Sequence, residues 1–267
     1  MSVERRKFLK MAGLTALGLA GGAPAKVLGQ DNAFADTAAE AVVKPIERSG
    51  ALTAKRWAMV IDVRKCQEAG ECTKCFDACH LTHNVPDFDN PKDEVKWIWK
   101  ESFEHALGDQ DHEYLNDAVK HAHMPVLCNH CDDPACVKVC PTGATFKREE
   151  DGLVMIDWHR CIGCRYCMAA CPYGSRSFNW RDPRPFIEDI QPDFPTRSRG
   201  VVEKCTFCDE RLARGQLPAC VEACEAGALV FGDLEDPESE VRKLLAERFS
   251  MRRKPGSGTQ PEVYYLL

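Results

Sequence analysis

Along this chain, apolar positions cluster in short stretches separated by polar loops. Trp57 to Asp62 is an almost unbroken apolar run and predicts a strand. Ala144 to Phe146, a polar turn at Asp151 and Gly152, and then Leu153 to Ile156 predict a hairpin. Val241, Leu244, Leu245 and Ala246 recur at helical spacing, which predicts one packed helix between Pro237 and Phe249. Val263 to Leu267 reads as a terminal strand. Between 26 and 56 no sustained pattern exists, as expected of a linker or loosely docked arm. Short strands mixed with short helices make an α+β chain.

Two interruptions break the pattern. Residues 81–124 carry His83, His105, His112, His121 and His123 with Trp97 and Trp99. They read as a packed surface excursion with buried tryptophans, or else as a docking face. A histidine metal site is weakly indicated, because no close pair stands on a clear helix. Residues 175–202 are proline-rich around Pro183 and Pro185, as in extended, semi-rigid chain: a solvated loop or a partner-binding strap.

Composition changes the picture at one residue type. Of 267 residues sixteen are cysteine, while the net charge of −6 argues against nucleic acid as a partner. The cysteines fall into four groups of four: Cys66, Cys72, Cys75, Cys79; Cys128, Cys131, Cys136, Cys140; Cys161, Cys164, Cys167, Cys171; and Cys205, Cys208, Cys220, Cys224. Each group ends in C-x3-C, a recurrence that a disulfide framework has no reason to produce. Group three, Cys161 to Pro172, has the C-x2-C-x2-C-x3-C-P spacing of a bacterial ferredoxin, in which the fourth thiolate reaches a second cluster. The rival reading is a zinc knuckle, which normally pairs two separated cysteine couples. Gly163 gives this loop backbone freedom.

The groups also repeat in pairs. Ile61 to Cys66 parallels Ile156 to Cys161, and Pro134 to Ala144 parallels Pro218 to Ala228, so the chain holds two related halves. Groups two and three are joined by the short hairpin, leaving groups one and four to close on each other. With fourth-cysteine exchange, four [4Fe-4S] ligand sets follow: Cys128, Cys131, Cys136, Cys171; Cys161, Cys164, Cys167, Cys140; Cys66, Cys72, Cys75, Cys224; and Cys205, Cys208, Cys220, Cys79. The other three groups depart from the spacing of group three: group one has five residues in its first gap and His80 in place of the proline, group two has a four-residue gap before Cys136, and group four has an eleven-residue gap before Cys220 with Glu225 after its last cysteine.

The predicted organisation is a signal over 1–25, a linker over 26–56, a four-cluster domain of two bacterial-ferredoxin-like modules over 57–235, and a tail over 236–267 packed on that domain. Glu4 to Lys10 contains the Arg5-Arg6 pair of a twin-arginine signal, followed by an apolar run from Met11 to Ala20 that is too short to span a bilayer. Passengers of that route cross the membrane folded, so thiolates metallated in the cytosol arrive outside already protected. The expected location is periplasmic. There is no G-x-G-x-x-G, P-loop or H-E-x-x-H motif. The chain reads as a wire with no catalytic residues of its own, against the alternatives of a zinc- or disulfide-stapled exported binding protein and an iron–sulfur redox sensor.

With these groups, residues 57–267 resemble the four-cluster iron–sulfur subunits of molybdopterin-reductase and membrane quinone-oxidoreductase complexes. The twin-arginine start, Asp157 to Cys167 and Phe178 to Pro185 are similar to the periplasmic iron–sulfur subunits of sulfite-reduction-associated membrane complexes. That resemblance implies a multi-spanning, quinone-interacting membrane partner serving the menaquinone pool and a multihaem cytochrome c. It also implies the pairing of group one with four and of two with three. Equivalent subunits of tetrathionate, polysulfide or nitrite reductase complexes are the alternative.

Overall fold

A computed structural model describes residues 50–267. The twin-arginine segment and most of the 26–56 stretch lie outside the described residues. Among the described residues there are ten strands: β1 (Trp57–Asp62), β2 (Ile98–Ser102), β3 (His123–Leu127), β4 (Thr145–Lys147), β5 (Val154–Ile156), β6 (Ser177–Phe178), β7 (Val202–Glu203), β8 (Leu229–Asp233), β9 (Ser250–Met251) and β10 (Val263–Leu266).

β1 lies inside a four-stranded sheet of order β8-β1-β10-β9. It runs antiparallel to β8, with Ile61 opposite Leu229, and parallel to β10, with Met59 opposite Val263. All six of its residues are buried, because both faces are covered. Ala58 and Val60 face Val241, Leu244 and Leu245 of the helix Glu240–Glu247. Met59 and Ile61 face the main core, which contains five of the cysteines. Ser239 caps that helix by accepting from Arg242 N–H. The carboxy-terminal segment is therefore more than a tail packed on a finished domain: β10 occupies an interior position of the sheet, and Tyr265 has no exposed surface.

The two related halves are visible in the backbone. The predicted hairpin forms β4 and β5, with Thr145 opposite Ile156. Its counterpart is the pairing of β8 with β1, drawn from opposite ends of the domain. One hydrogen bond recurs in both: Asp157 N–H donates to Ala144 O at 2.7 Å and Asp62 N–H to Ala228 O at 2.8 Å.

Residues 81–124 enter the core rather than riding on it. β2 and β3 pair, and Trp97, Ile98, Phe103, Leu107 and Met124 are almost wholly buried, while Trp99 is half-buried. Residues 175–202 are anchored at both ends, where β6 pairs with β7 and Ser175, Arg176 and Asn179 are buried. Its prolines stand at a 3-10 turn, where Pro183 is buried and Pro185 exposed. The described end of the linker is tied down as well: Leu52 N–H donates to Leu212 O, and the Lys55 and Arg56 amides donate to the Asp233 carboxylate.

The candidate iron–sulfur relay

Each C-x3-C pair spans a short helix. Cys75 and Cys79 lie on Lys74–Thr82; Cys136 and Cys140 on and just after Ala135–Lys138; Cys167 and Cys171 on and at the end of Tyr166–Ala170; Cys220 and Cys224 on and just after Ala219–Glu222. Four residues of helix separate the paired sulfurs by roughly 6 Å along the axis. The first cysteine therefore faces one cavity and the second faces the next.

Cys140, Cys161, Cys164 and Cys167 line one tight cavity. Cys128, Cys131, Cys136 and Cys171 line a second. Cys66, Cys72, Cys75 and Cys224 surround a wider one of about 450 Å³, at whose edge Cys72 is exposed. The fourth grouping is closed off from solvent. Cys79, Cys205, Cys208 and Cys220 are all buried, and burial followed by the charges of the other three pushes the Cys79 thiol well up. The four sets form a row. Cys136 acts on Cys167, Cys128 acts on Cys205, and Cys75 acts on both Cys79 and Cys220. The row runs from the Cys161 set through the Cys128 and Cys205 sets to the Cys66 set. Half-buried cysteines stand at one end and exposed Cys72 at the other.

The loops that carry the cysteines hold strained backbone. The residue before the second cysteine is left-handed in three groups: His130 at φ 41°, Gly163 at 68° and Phe207 at 56°. His130 and Phe207 stack on each other at 3.9 Å, on either side of the relation between the two halves. At Gly163 a side chain is excluded outright, since a Cβ there would lie 2.2 Å from Gly200 O.

These cages suit a polycationic inorganic core. Burial, then neighbouring thiolates, pushes Cys75 up to about 12; burial does the same for Cys131 and Cys205. Four thiolates crowded in one dry cavity need bound metal to stay ionised. Backbone amides already point at sulfur: Thr145 N–H at Cys140, Ala219 N–H at Cys208 and Ala228 N–H at Cys224, at 3.2–3.4 Å. At half-buried Cys140 burial is outweighed by the bonds from Thr145, Thr142 and Ala144, and its thiol lies below the usual range.

Sequence reading missed the buried charges. Lys204 has no exposed surface, and its Nζ donates to Cys205 O at 2.7 Å. Arg176 donates from Nη2 to Cys136 Sγ and from Nη1 to Thr145 Oγ1, both at 3.1 Å. Neither has a carboxylate partner among the described residues. Burial, with the Arg176 charge, pulls the Lys204 ammonium down, against the thiolates of Cys128, Cys205 and Cys136. His130 is neutral. Val154 N–H donates to its Nδ1, so its proton resides on Nε2, which donates to Cys205 O at 3.0 Å. Burial and the Lys204 charge hold it well below the ordinary histidine range. Of the other histidines weighed, His105, His112, His121 and His123 are exposed, whereas His83 is buried, with Cys208 and Glu210 ligand atoms within 4.8 Å. Nothing in the local pattern marks a single lysine or arginine as buried, because only the packing of distant segments buries it.

This fold and its cysteine cages define a ferredoxin-type iron–sulfur protein, and residues 119–184 and 192–234 match the family model described as a 4Fe-4S dicluster domain. The relatives narrow the class. The Hdr-like menaquinol oxidoreductase iron-sulfur subunit 1 of Archaeoglobus fulgidus is 40% identical over 283 residues, covering 98% of this chain and 97% of that protein. The menaquinone reductase iron-sulfur cluster-binding subunit of Nitratidesulfovibrio vulgaris is 37% identical, covering 79% and 88%. A tetrathionate reductase subunit of Salmonella typhimurium is 37% identical, covering 79% and 72%. The chain belongs to the family of 4Fe-4S ferredoxin-type iron–sulfur subunits of menaquinol oxidoreductase and reductase complexes. It is an electron-transfer subunit. No helix among the described residues is long and apolar enough to cross a membrane.

Proposed function

We propose that each of the four sets of cysteines holds one [4Fe-4S] cluster, and that the chain is a periplasmic relay between a quinone-interacting membrane subunit and a multihaem cytochrome c. The observation that carries this reading is the row of four cages linked by paired sulfurs on short helices. Bound there, the clusters accept and release single electrons. The protein's part is to keep neighbouring cages close, dry and rigid. The Cys66 end of the row suits exchange with a partner, since Cys72 is exposed there. The Arg5-Arg6 start supports export in the folded, metallated state.

Within the family, the sequence features around Asp157 to Cys167 and Phe178 to Pro185 favour the DsrO-type subunit of sulfite-reduction-associated DsrMKJOP complexes. The relative in Salmonella favours a second reading, service in a tetrathionate reductase complex. Anaerobic purification with iron and acid-labile sulfide analysis tests the relay. About sixteen irons per chain are expected from four four-iron clusters, and zinc, or protein lacking both iron and sulfide, overturns it. The subunits that co-purify separate the two complexes. Replacing Arg5 and Arg6 together by Lys should leave the protein in the cytoplasm; continued export of iron-loaded protein refutes the route.

A further inference from the structure

The Cys128, Cys131, Cys136, Cys171 set differs from its neighbours in the row. Two buried cations adjoin it, near enough to each other that the Arg176 charge acts on Lys204. Lys204 belongs to the segment that begins the Cys205 set, and its charge acts on Cys128 and Cys136 as well as Cys205. Arg176 contacts Cys136 Sγ directly, and its charge also acts on Cys167 of the Cys161 set. The buried carboxylate next to Lys204 in the chain, Glu203, is already held by Arg197 Nε at 2.7 Å. Nearby His130 is neutral by its hydrogen bonds. Two positive charges in a dry interior are therefore left to the sulfurs and whatever those sulfurs hold.

We infer that Lys204 and Arg176 tune the electron affinity of the relay, each raising the reduction potential of the two centres it lies between, so that the Cys128 set, adjoined by both, is raised twice. This inference rests on the proposed cluster assignment. Reduction of a centre adds one negative charge, and the electron comes from the adjacent centre, which is oxidised. No bond breaks and no proton moves. A buried cation stabilises the added charge by Coulomb attraction that water does not screen. Lysine and arginine thereby make the middle of the row hold an electron more tightly than four thiolates alone would allow.

The experiment is potentiometric EPR on the anaerobically purified full chain with Lys204→Met, Lys204→Arg and Arg176→Gln. Iron and sulfide content are measured on each sample. Lys204→Met should move two midpoint potentials downward, each by tenfold or more in its reduction equilibrium, about 59 mV for a one-electron couple. Arg176→Gln should also move two, and one cluster should be common to both variants. Lys204→Arg should match the wild type. Unchanged midpoints with full iron content overturn the inference, as does an equal shift in Lys204→Arg. Should Lys204→Met fail to assemble, Arg176→Gln decides alone: movement of two midpoints supports the inference and movement of none overturns it. A wild-type chain short of iron and sulfide instead refutes the cluster assignment, so the two failures are distinguishable.

Discussion

Removing the Arg197 guanidinium should loosen both inserted segments at once. Arg197 and Glu203 are buried to within 1% of complete, and their N···O contact is 2.7 Å. The Nε–H does not aim along that contact, so the pair is chiefly ionic. Arg197 also donates to His83 O, Asn84 O and Pro195 O, and Glu203 accepts from Trp97 Nε1 and Asn179 Nδ2. One pair thus ties residues 81–124 and 175–202 to β7, next to the Cys205 loop. Arg197→Met leaves Glu203 buried without a countercharge, at a cost of about 3–5 kcal/mol. In a body of about 220 residues each kcal/mol is worth about 2–4 °C. The apparent Tm should therefore fall by roughly 6–20 °C. Scans are compared at one fixed rate and checked by limited proteolysis, because loss of bound metal on unfolding makes such transitions irreversible. Adding Glu203→Gln to Arg197→Met should recover part of the loss, since no naked charge then remains. A fall of under 2 °C, or strictly additive single variants, would refute the reasoning.

Gly163→Ala should cost roughly 1–2 kcal/mol from its left-handed backbone, and more from the 2.2 Å approach to Gly200 O. Displacing the Cys161–Cys164 loop should lower iron from about sixteen to about twelve per chain; Gly174→Ala, left-handed but in open space, is the control and should keep its iron. Full iron in Gly163→Ala contradicts the steric argument. Asp62→Asn should destabilise by about 1–3 kcal/mol. Burial raises this carboxyl, but the Arg248 bond and the Lys65 N–H outweigh it, so its pKa lies below the usual range. A depressed acid contributes fully above its unfolded value, about 3.9, and loses that contribution only as pH falls through the folded one. The penalty measured by thermal scans should be equal at pH 6 and pH 8, and a halving between them would show that another group dominates. Stripping iron with a chelator under reducing conditions should collapse near-UV and far-UV circular dichroism together, because the cages are part of the core; a native spectrum without iron tells against that.

Local spacing made much of this legible. Cysteines at C-x3-C recur because a short helix must present sulfur to two cavities, and that requirement is written within five residues. β1, the β4–β5 hairpin and the helix Glu240–Glu247 likewise follow from short-range hydrophobic pattern and turn residues. The matched phrases around Asp62 and Asp157 exposed the two halves along the chain itself. Less legible was the inward role of residues 81–124. Polar and apolar positions alternate there without a clean period, and burial is decided by what packs on top.

By itself, then, the sequence determined the grouping of the cysteines in fours and the kinship of the halves, since each is a matter of residues adjacent along the chain. Only the tertiary structure decided that β10 lies within the sheet, that Gly163 abuts Gly200, and that Lys204, Arg176 and the Arg197–Glu203 pair are sealed inside. Those features depend on segments tens to hundreds of residues apart being pressed together. The energy of a buried charge is set by the surroundings that packing supplies, and no short stretch of sequence carries it.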